Sequence, residues 1–272
     1  METIDRAERK RQKVMERLRL LRPFDDDFMR CLFRDNIPLA QFTLRVLTGR
    51  NDIVITKCET QKDMKRLGGA RSLCLDLYAK DTIFRIYNME TQRESGGADP
   101  KRARYHSSVV DIENLDANQD FSELPETYII FITETDFFGE GKPVYPIERI
   151  NLATGKPFED GTHILYVNGA YRGDSDIGKL MHDFNCASAD DMNFRIMADN
   201  TRYLKENEKG VRSMCKVIEE LVKEEREEER QDLKEEIVEK MLRNKALPLE
   251  EISKYFDLSL DEVKRIQARL SA

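Results

Sequence analysis

Two acidic residues lie inside segments that otherwise have the pattern of apolar β-strands. Asp76 is part of the run Leu73–Tyr78, and Glu90 lies near the end of a second run that continues to Gln92. An unpaired buried carboxylate is expensive to remove from water, so such a residue needs a partner, a bound cation or a raised pKa. The two acids therefore mark the first candidate for a functional site.

An Asp on one strand and a Glu on its neighbour can together hold a divalent cation. Carboxylate oxygens suit Mg²⁺ or Mn²⁺, and such an ion neutralises charge on a phosphodiester and lowers the pKa of a bound water. Gln92 follows Glu90 by two residues, on the same strand face, where it can orient that water. The alternative is that Asp76 and Glu90 form an edge-strand pair, or a salt bridge to Arg85 or Arg93.

A helix with a cationic beginning follows the second run. Asp99 and Pro100 form a strong helix start, a capping acid followed by a proline at the first helical position. Its first turns carry side chains that can hold the phosphates of DNA, namely Lys101, Arg102, Arg104 and Tyr105. The alternative is that Arg104 and Tyr105 only pack the helix on a sheet, and His106 is expected to be structural.

The acids meet only if the two strands pair in one register. Residues 72–79 and 83–92 are predicted as the strands of a hairpin. A turn centred near Thr82–Phe84 places Asp76 beside Glu90, facing the same way. A slip of one residue would destroy that pairing.

Further helices and strands are predicted on both sides of the hairpin. The helices are expected at about 24–33, 39–47, 101–115, 176–185 and 189–204. The strands are expected at 53–56, 127–133, 145–149 and 163–168, with the apolar run 127–133 in the centre of a sheet and 145–149 at an edge. The polar stretch from Lys57 to Arg71 is expected to be a loop.

Composition restricts the class of protein. Five cysteines without a CxxC spacing and three histidines without zinc spacing indicate reduced thiols and no structural zinc. No signal peptide and no apolar run approaching about 20 residues is visible, so a cytoplasmic protein that does not contact membranes is expected. Residues 219–240 hold eleven acids and five bases, a balance of −6 out of the net −7. Everything outside this segment is therefore close to neutral, so the acidic pI of 5.3 says little about whether the front domain can face DNA.

The ends of the chain are expected to be helical. We predict a basic leader helix at 1–22, a long charged helix at 211–245 and a small helical hairpin at 246–272, with a capping box formed by Ser259 and Glu262. The hairpin resembles half of a helix-turn-helix, although a packing unit is the commoner outcome. The apolar seam of the long helix is interrupted between residues 223 and 232, which favours a solvated helix over a coiled coil. A homodimer through this helix remains a reasonable expectation.

Asp76 followed by Glu90-Thr91-Gln92 resembles the active-site signature of the PD-(D/E)xK nuclease superfamily. The flanking motifs are similar to those of its transposase-like branch, the recombination-promoting nuclease (Rpn) family. They are Asp26–Phe33 in an opening helix, Ala79–Asp81 after the first acid, and Arg104–Ser107 in the helix that follows. The similarity extends over about residues 24–200.

This resemblance implies an α/β fold with a restriction-endonuclease-like core, a mixed sheet flanked by helices over residues 23–210, followed by an all-α C-terminal extension. It implies a Mg²⁺-dependent (or Mn²⁺-dependent) DNA endonuclease associated with recombination or mobile elements, without a small-molecule cofactor. By analogy, Asp76 and Glu90 bind the metal, the backbone carbonyl of Thr91 contributes, and Gln92 replaces the catalytic lysine. Asp26 would lie near the metal or its waters.

Two departures from the family pattern leave alternatives open. Leu75 stands where a proline precedes the first acid, and Gln92 carries no charge. The chain could therefore be a slower enzyme, or could use a basic residue from elsewhere, such as Lys80 or Arg104. A third alternative is a catalytically degenerate nuclease fold that acts as a DNA-binding or regulatory module.

Overall fold

The fold is that of a computed structural model, which describes residues 12, 15–64, 73–93, 95–244, 247–256 and 258–271. Its strands are β1 (Ile55–Met64), β2 (Leu73–Asp81), β3 (Ile86–Gln92), β4 (Thr127–Thr133), β5 (Val144–Ile147), β6 (Ile150–Asn151), β7 (Lys156–Pro157) and β8 (Thr162–Asn168). Its helices are α1 (Asp26–Phe33), α2 (Ile37–Thr48), α3 (Pro100–Glu113), α4 (Asp176–Asn185), α5 (Arg195–Glu206), α6 (Glu208–Arg243), α7 (Leu249–Phe256) and α8 (Leu260–Ser271). Residues 15–20 are also helical.

Six strands form one mixed sheet in the order β1-β2-β3-β4-β8-β5. The pairs β1–β2, β2–β3 and β5–β8 are antiparallel, whereas β3–β4 and β4–β8 are parallel. Helices lie against this sheet and further helices follow it, so the predicted α/β class, with a mixed sheet flanked by helices and a helical C-terminal part, is confirmed.

The centre of the sheet is the strand that the apolar pattern predicted. All seven residues of β4 are buried. Because β3 and β4 are parallel, the chain must cross over between them, and α3 provides the crossover. Val109 and Val110 of α3 pack with Ile129 and Phe131 of β4. This packing sets α3, with its predicted Asp99 cap and Pro100 start, over one face of the sheet.

The first strand is longer than the sequence pattern indicated. The prediction of a loop from Lys57 is wrong, because β1 continues to Met64 and pairs with β2 along that length. β1 is an edge strand, so its polar side chains can stay in water while its backbone completes the sheet. Gly68 and Gly69, expected in the same loop, lie outside the described residues.

A buried ion pair closes the β2–β3 hairpin. Asp81 has no exposed side-chain surface, and its carboxylate accepts hydrogen bonds from Arg85 Nε at 2.6 Å, from Tyr87 Oη at 3.1 Å and from the backbone N–H of Ile83 at 3.1 Å. The ladder runs from Leu77↔Met89 to Lys80↔Ile86, so the turn is centred on Ile83. The predicted turn near Thr82–Phe84 is confirmed.

The chain divides into two compact units, Met1–Cys215 and Lys216–Ala272. The second unit has a small core of its own, formed by Val238, Ile252, Val263 and Ile266. The predicted capping box is present there, with Glu262 N–H donating to Ser259 Oγ at 3.2 Å and Ser259 N–H donating to Glu262 Oε2 at 2.7 Å. Among the described residues, no helix is both long and apolar enough to cross a membrane.

Candidate functional site

The two acids lie where the β2–β3 ladder ends. The last backbone pair is Leu77↔Met89, and the next residue on each strand is one of the acids. Glu90 Oε1 accepts the N–H of Asp76 at 3.1 Å, and Asp76 Oδ2 accepts the N–H of Thr91 at 3.1 Å. Side-chain oxygens thus take hydrogen bonds from strand N–H groups beyond the last ladder pair. We call this place the carboxylate fork.

Glu90 is fully buried, and its two oxygens have different surroundings. Oε1 also accepts the Asn88 side-chain amide at 2.7 Å, whereas Oε2 accepts no hydrogen bond from any described residue. Arg102 Nη2 lies 3.5 Å from Oε2. Burial, followed by the negative charge of Asp76, raises the pKa of Glu90 well above its usual value. A cation at Oε2 would reverse that effect by favouring the ionised form.

Asp76 and Asp26 add negative charge at the same place. Burial, and then the charge of Asp26, raises the pKa of Asp76 to about 6. Burial, and then the charge of Asp27, raises the pKa of Asp26. Asp26 belongs to the first turn of α1. Because its charge acts on the pKa of Asp76, this predicted accessory acid is close enough to influence the fork.

A chain of hydrogen bonds connects α3 to Glu90. Arg102 Nε donates to His106 Nε2 at 3.3 Å, and His106 Nδ1 lies 2.9 Å from Asn88 Oδ1. An arginine can only donate, so Nε2 accepts and Nδ1 carries the proton that goes to Asn88. Burial, followed by the charge of Arg102, lowers the pKa of His106 to about 3, which agrees with a neutral ring.

The side chain of Gln92 and the backbone of Thr91 also belong to the carboxylate fork. Gln92 Oε1 accepts from Arg102 Nη1 at 3.4 Å, and a side chain in place of Gly97 would collide with that oxygen. The carbonyl of Gln92 accepts the N–H of Glu134, just past the end of β4, so the backbone groups of Gln92 point toward β4. Neighbouring residues of a strand direct their backbone groups to opposite sides, so the N–H and carbonyl of Thr91 point toward β2. The Thr91 N–H does reach Asp76 there. The carbonyl therefore points to the side on which the carboxylates lie.

The cations predicted on α3 have different environments. Lys101 and Arg104 are exposed, whereas Tyr105 is half-buried and packs against the core between helix and sheet. Arg102 turns toward the fork. Lys80, offered as a substitute cation, instead lies over the Phe84 ring, 4.9 Å from its centroid, at the turn end of the hairpin.

The salt-bridge alternative for the two acids named the wrong partners. Arg85 pairs with Asp81 and Asp52, and Arg93 lies 3.4 Å from Asp25 and 3.5 Å from Glu134. The edge-strand alternative is also wrong, because β2 and β3 are interior strands of the sheet.

Asn88 and His106 are contacts of the site that sequence reasoning did not assign to it. Asn88 shares strand parity with Glu90 and Gln92, which was a usable signal. His106 follows Arg102 by four residues, a spacing that puts the two side chains on one helix face. Nothing in the sequence shows that this helix face meets that strand.

The oxygen atoms at the fork fit a hard divalent cation. Glu90 Oε2 is a buried carboxylate oxygen that accepts no hydrogen bond from the described residues, and Asp76, the Thr91 carbonyl and Gln92 supply further oxygen atoms at the fork. Mg²⁺ is typically bound by one or two carboxylates while it keeps several waters. In the described part of the chain, no group of three or more His, Cys, Asp or Glu side chains is arranged to hold a metal.

Comparison of the chain with protein-family models, with curated proteins and with solved structures found no match.

Proposed function

We propose that this protein is a Mg²⁺- or Mn²⁺-dependent DNA endonuclease of the PD-(D/E)xK type. The carboxylate fork supports this proposal most directly, because two acids from adjacent strands meet there and, as far as the structure describes the chain, Glu90 Oε2 is buried without a hydrogen bond. The order Asp76, Glu90, Gln92 and the helix that follows agree with the resemblance. An association with recombination or mobile elements, and membership of the transposase-like branch, rest on that resemblance alone.

The proposed chemistry assigns a task to each residue of the fork. A bound cation would neutralise phosphate charge and lower the pKa of a water. Asp76 and Glu90 would each hold the cation with the carboxylate oxygen that does not take part in the hydrogen bonds to the strand N–H groups and to Asn88. The Thr91 carbonyl would be a further ligand. The Gln92 amide would orient the attacking water. On α3, the exposed Lys101 and Arg104 would contact backbone phosphates away from the cleaved bond.

Nicking of supercoiled plasmid tests the proposal. We expect the wild-type protein to cleave with Mg²⁺ or Mn²⁺, and Asp76→Asn and Glu90→Gln to lose on the order of 10²-fold or more of the rate. Asp199→Asn on α5 is the matched control, because this aspartate is exposed and pairs with Arg195 and Arg202 of the same helix. If no cleavage occurs, or if Asp76→Asn cleaves as fast as wild type, the assignment fails.

Metal binding gives a second, independent measurement. Titration calorimetry should show Mn²⁺ binding at or below millimolar concentration, and Glu90→Gln should weaken it. Asp199→Asn should leave it unchanged. An absence of Mn²⁺ binding at millimolar concentration would count against the enzyme.

A second candidate function is that of a non-catalytic DNA-binding or regulatory module. The uncharged Gln92 favours it, because this side chain cannot supply a cation to the transition state and its oxygen is already a partner of Arg102. Metal-independent DNA binding without cleavage, unaffected by Glu90→Gln, would support this alternative over the nuclease.

A further inference from the structure

Arg102 is the cation that the fold places against the carboxylate fork. Its Nη2 lies 3.5 Å from Glu90 Oε2, and its Nη1 lies 3.4 Å from Gln92 Oε1 and 3.0 Å from Gly97 O. The two contacts to side-chain oxygens are long for hydrogen bonds of a guanidinium. The Arg102 side chain is 40% exposed, so a ligand at the fork could reach it.

Contacts on the helix side fix the orientation of the Arg102 guanidinium. His106 Nε2 accepts from Nε, and His106 is held in turn by Asn88. With Nε occupied on the helix side, the Nη atoms face Glu90 and Gln92. Arg102 is therefore a preorganised pair of N–H donors with a positive charge beside the carboxylate of Glu90.

We infer that Arg102 contacts the phosphate that undergoes cleavage and supplies the positive charge that Gln92 cannot. The inference rests on the proposed phosphodiester chemistry for its substrate. A planar guanidinium presents two parallel N–H groups that match two phosphate oxygens, whereas a glutamine amide has no charge to offer. A fixed donor aimed at developing negative charge is worth about 10²–10³-fold in rate in other enzymes.

A purely structural role is the alternative, since Arg102 also connects the turn Ser95–Ala98 to α3 through Gly97. The two roles differ in their response to salt. Each phosphate contact contributes a slope of about 0.9 to the dependence of log K on log salt concentration. A merely structural arginine would leave that slope unchanged.

The decisive experiment measures duplex DNA binding by fluorescence anisotropy over a series of salt concentrations without divalent metal, and cleavage rates with Mg²⁺. We expect Arg102→Gln to weaken binding about tenfold, to lower the slope by about 0.9 and to reduce the cleavage rate about 10²-fold or more. Arg102→Lys should keep the slope and still lose at least about tenfold in rate, because it lacks the planar fork. Arg202→Gln is the control, since Arg202 is also 40% exposed and pairs with Asp190 and Asp199.

The outcomes separate this inference from the proposed function. If wild type cleaves and Arg102→Gln cleaves equally fast, the inference is overturned and the nuclease assignment stands. If nothing cleaves but Arg102→Gln alone lowers the slope, the nuclease assignment fails and the phosphate contact stands. If Arg102→Gln does not fold, Arg102→Lys decides, because an unchanged cleavage rate would overturn the inference. Wild-type protein that does not bind DNA overturns both.

Discussion

At the scale of single residues, the site is defined by buried or half-buried carboxylates that lie close together and face one arginine, Arg102. Glu90 is fully buried, and one of its oxygens accepts no hydrogen bond within the described part of the chain; the charges of Asp76 and Asp26 raise the cost of ionising the cluster. Burial of these charged groups destabilises the folded protein unless a bound partner compensates for the lost hydration. Clusters of perturbed carboxylates occur preferentially at functional sites, and this one lies where the β2–β3 ladder ends, with Arg102 beside it.

The raised pKa of Asp76 predicts a specific dependence of stability on pH. Its folded-state pKa of about 6 is above the ordinary value of 3.8, so its contribution to stability is present at low pH and is lost as pH rises through 6. Asp76→Asn cannot ionise. Its free energy of unfolding relative to wild type should therefore increase between pH 4 and pH 7, by about 1–3 kcal/mol.

Urea unfolding in metal-free buffer at pH 4, 5, 6 and 7 measures this difference. Asp199→Asn, at an exposed position of α5, is the matched control for the substitution itself. A constant difference between Asp76→Asn and wild type over this range would contradict the raised pKa.

At the scale of elements, the hairpin β2–β3 and the helix α3 assemble the site. The ion pair of Asp81 and Arg85 closes the turn and thereby holds the register that sets Asp76 opposite Glu90. α3 then brings Arg102 and His106 to the same face. An error in either element would separate the charges, since a slip of one residue would move a whole strand's side chains to the other face.

Removal of Asp81 should weaken the hairpin strongly. Asp81→Ala leaves the buried Arg85 with only the more exposed Asp52, and breaking one half of a buried pair typically costs about 3–5 kcal/mol. Asp52→Ala, which removes the exposed partner of the same arginine, should have a much smaller effect. Chemical denaturation of both variants measures the difference, and equal losses would contradict the importance of the buried pair.

At the scale of the whole molecule, the site belongs to one unit. The fork, Arg102 and Asp26 all lie within Met1–Cys215, while residues 216–272 form a unit with its own small core. The acidic residues concentrated at 219–240 are also in the second unit. The first unit therefore carries every residue that the proposed chemistry uses.

A chain that ends at residue 220 should fold and should keep the nicking activity that we propose. We expect its melting temperature to stay within about 4 °C of the full-length value, because each kcal/mol shifts a domain of this size by about 2–4 °C. Its rate of plasmid nicking should stay within about threefold. Calorimetry and the nicking assay measure these quantities. Loss of cooperative unfolding would show that the second unit is required by the first.

Local patterns predicted the elements that have one strong signal. An apolar run predicts the strand Thr127–Thr133, and a capping acid predicts the helix that begins at Pro100. The spacing of turn residues predicts the hairpin centred on Ile83. The part of β1 beyond Thr56 could not be predicted in this way, because its polar residues pair as an edge strand that exists only once β2 is in place. Strand pairing is a long-range property, so a strand without alternation cannot be recognised from its own residues.

The sequence by itself determined that Asp76, Glu90 and Gln92 would share one face of a hairpin, because strand side chains alternate with a period of two and the turn sets the register. Only the tertiary structure decided which cation faces them. The sequence offered Lys80 or Arg104 as a substitute cation and Arg85 or Arg93 as salt-bridge partners, and it placed Arg102 only among the phosphate contacts of the helix. In the structure, the crossover between the parallel strands β3 and β4 brings Arg102 to the fork, where His106 and Asn88 connect it to Glu90. The physical reason is that a contact between a helix and a strand depends on how the helix packs on the sheet, which no local pattern encodes.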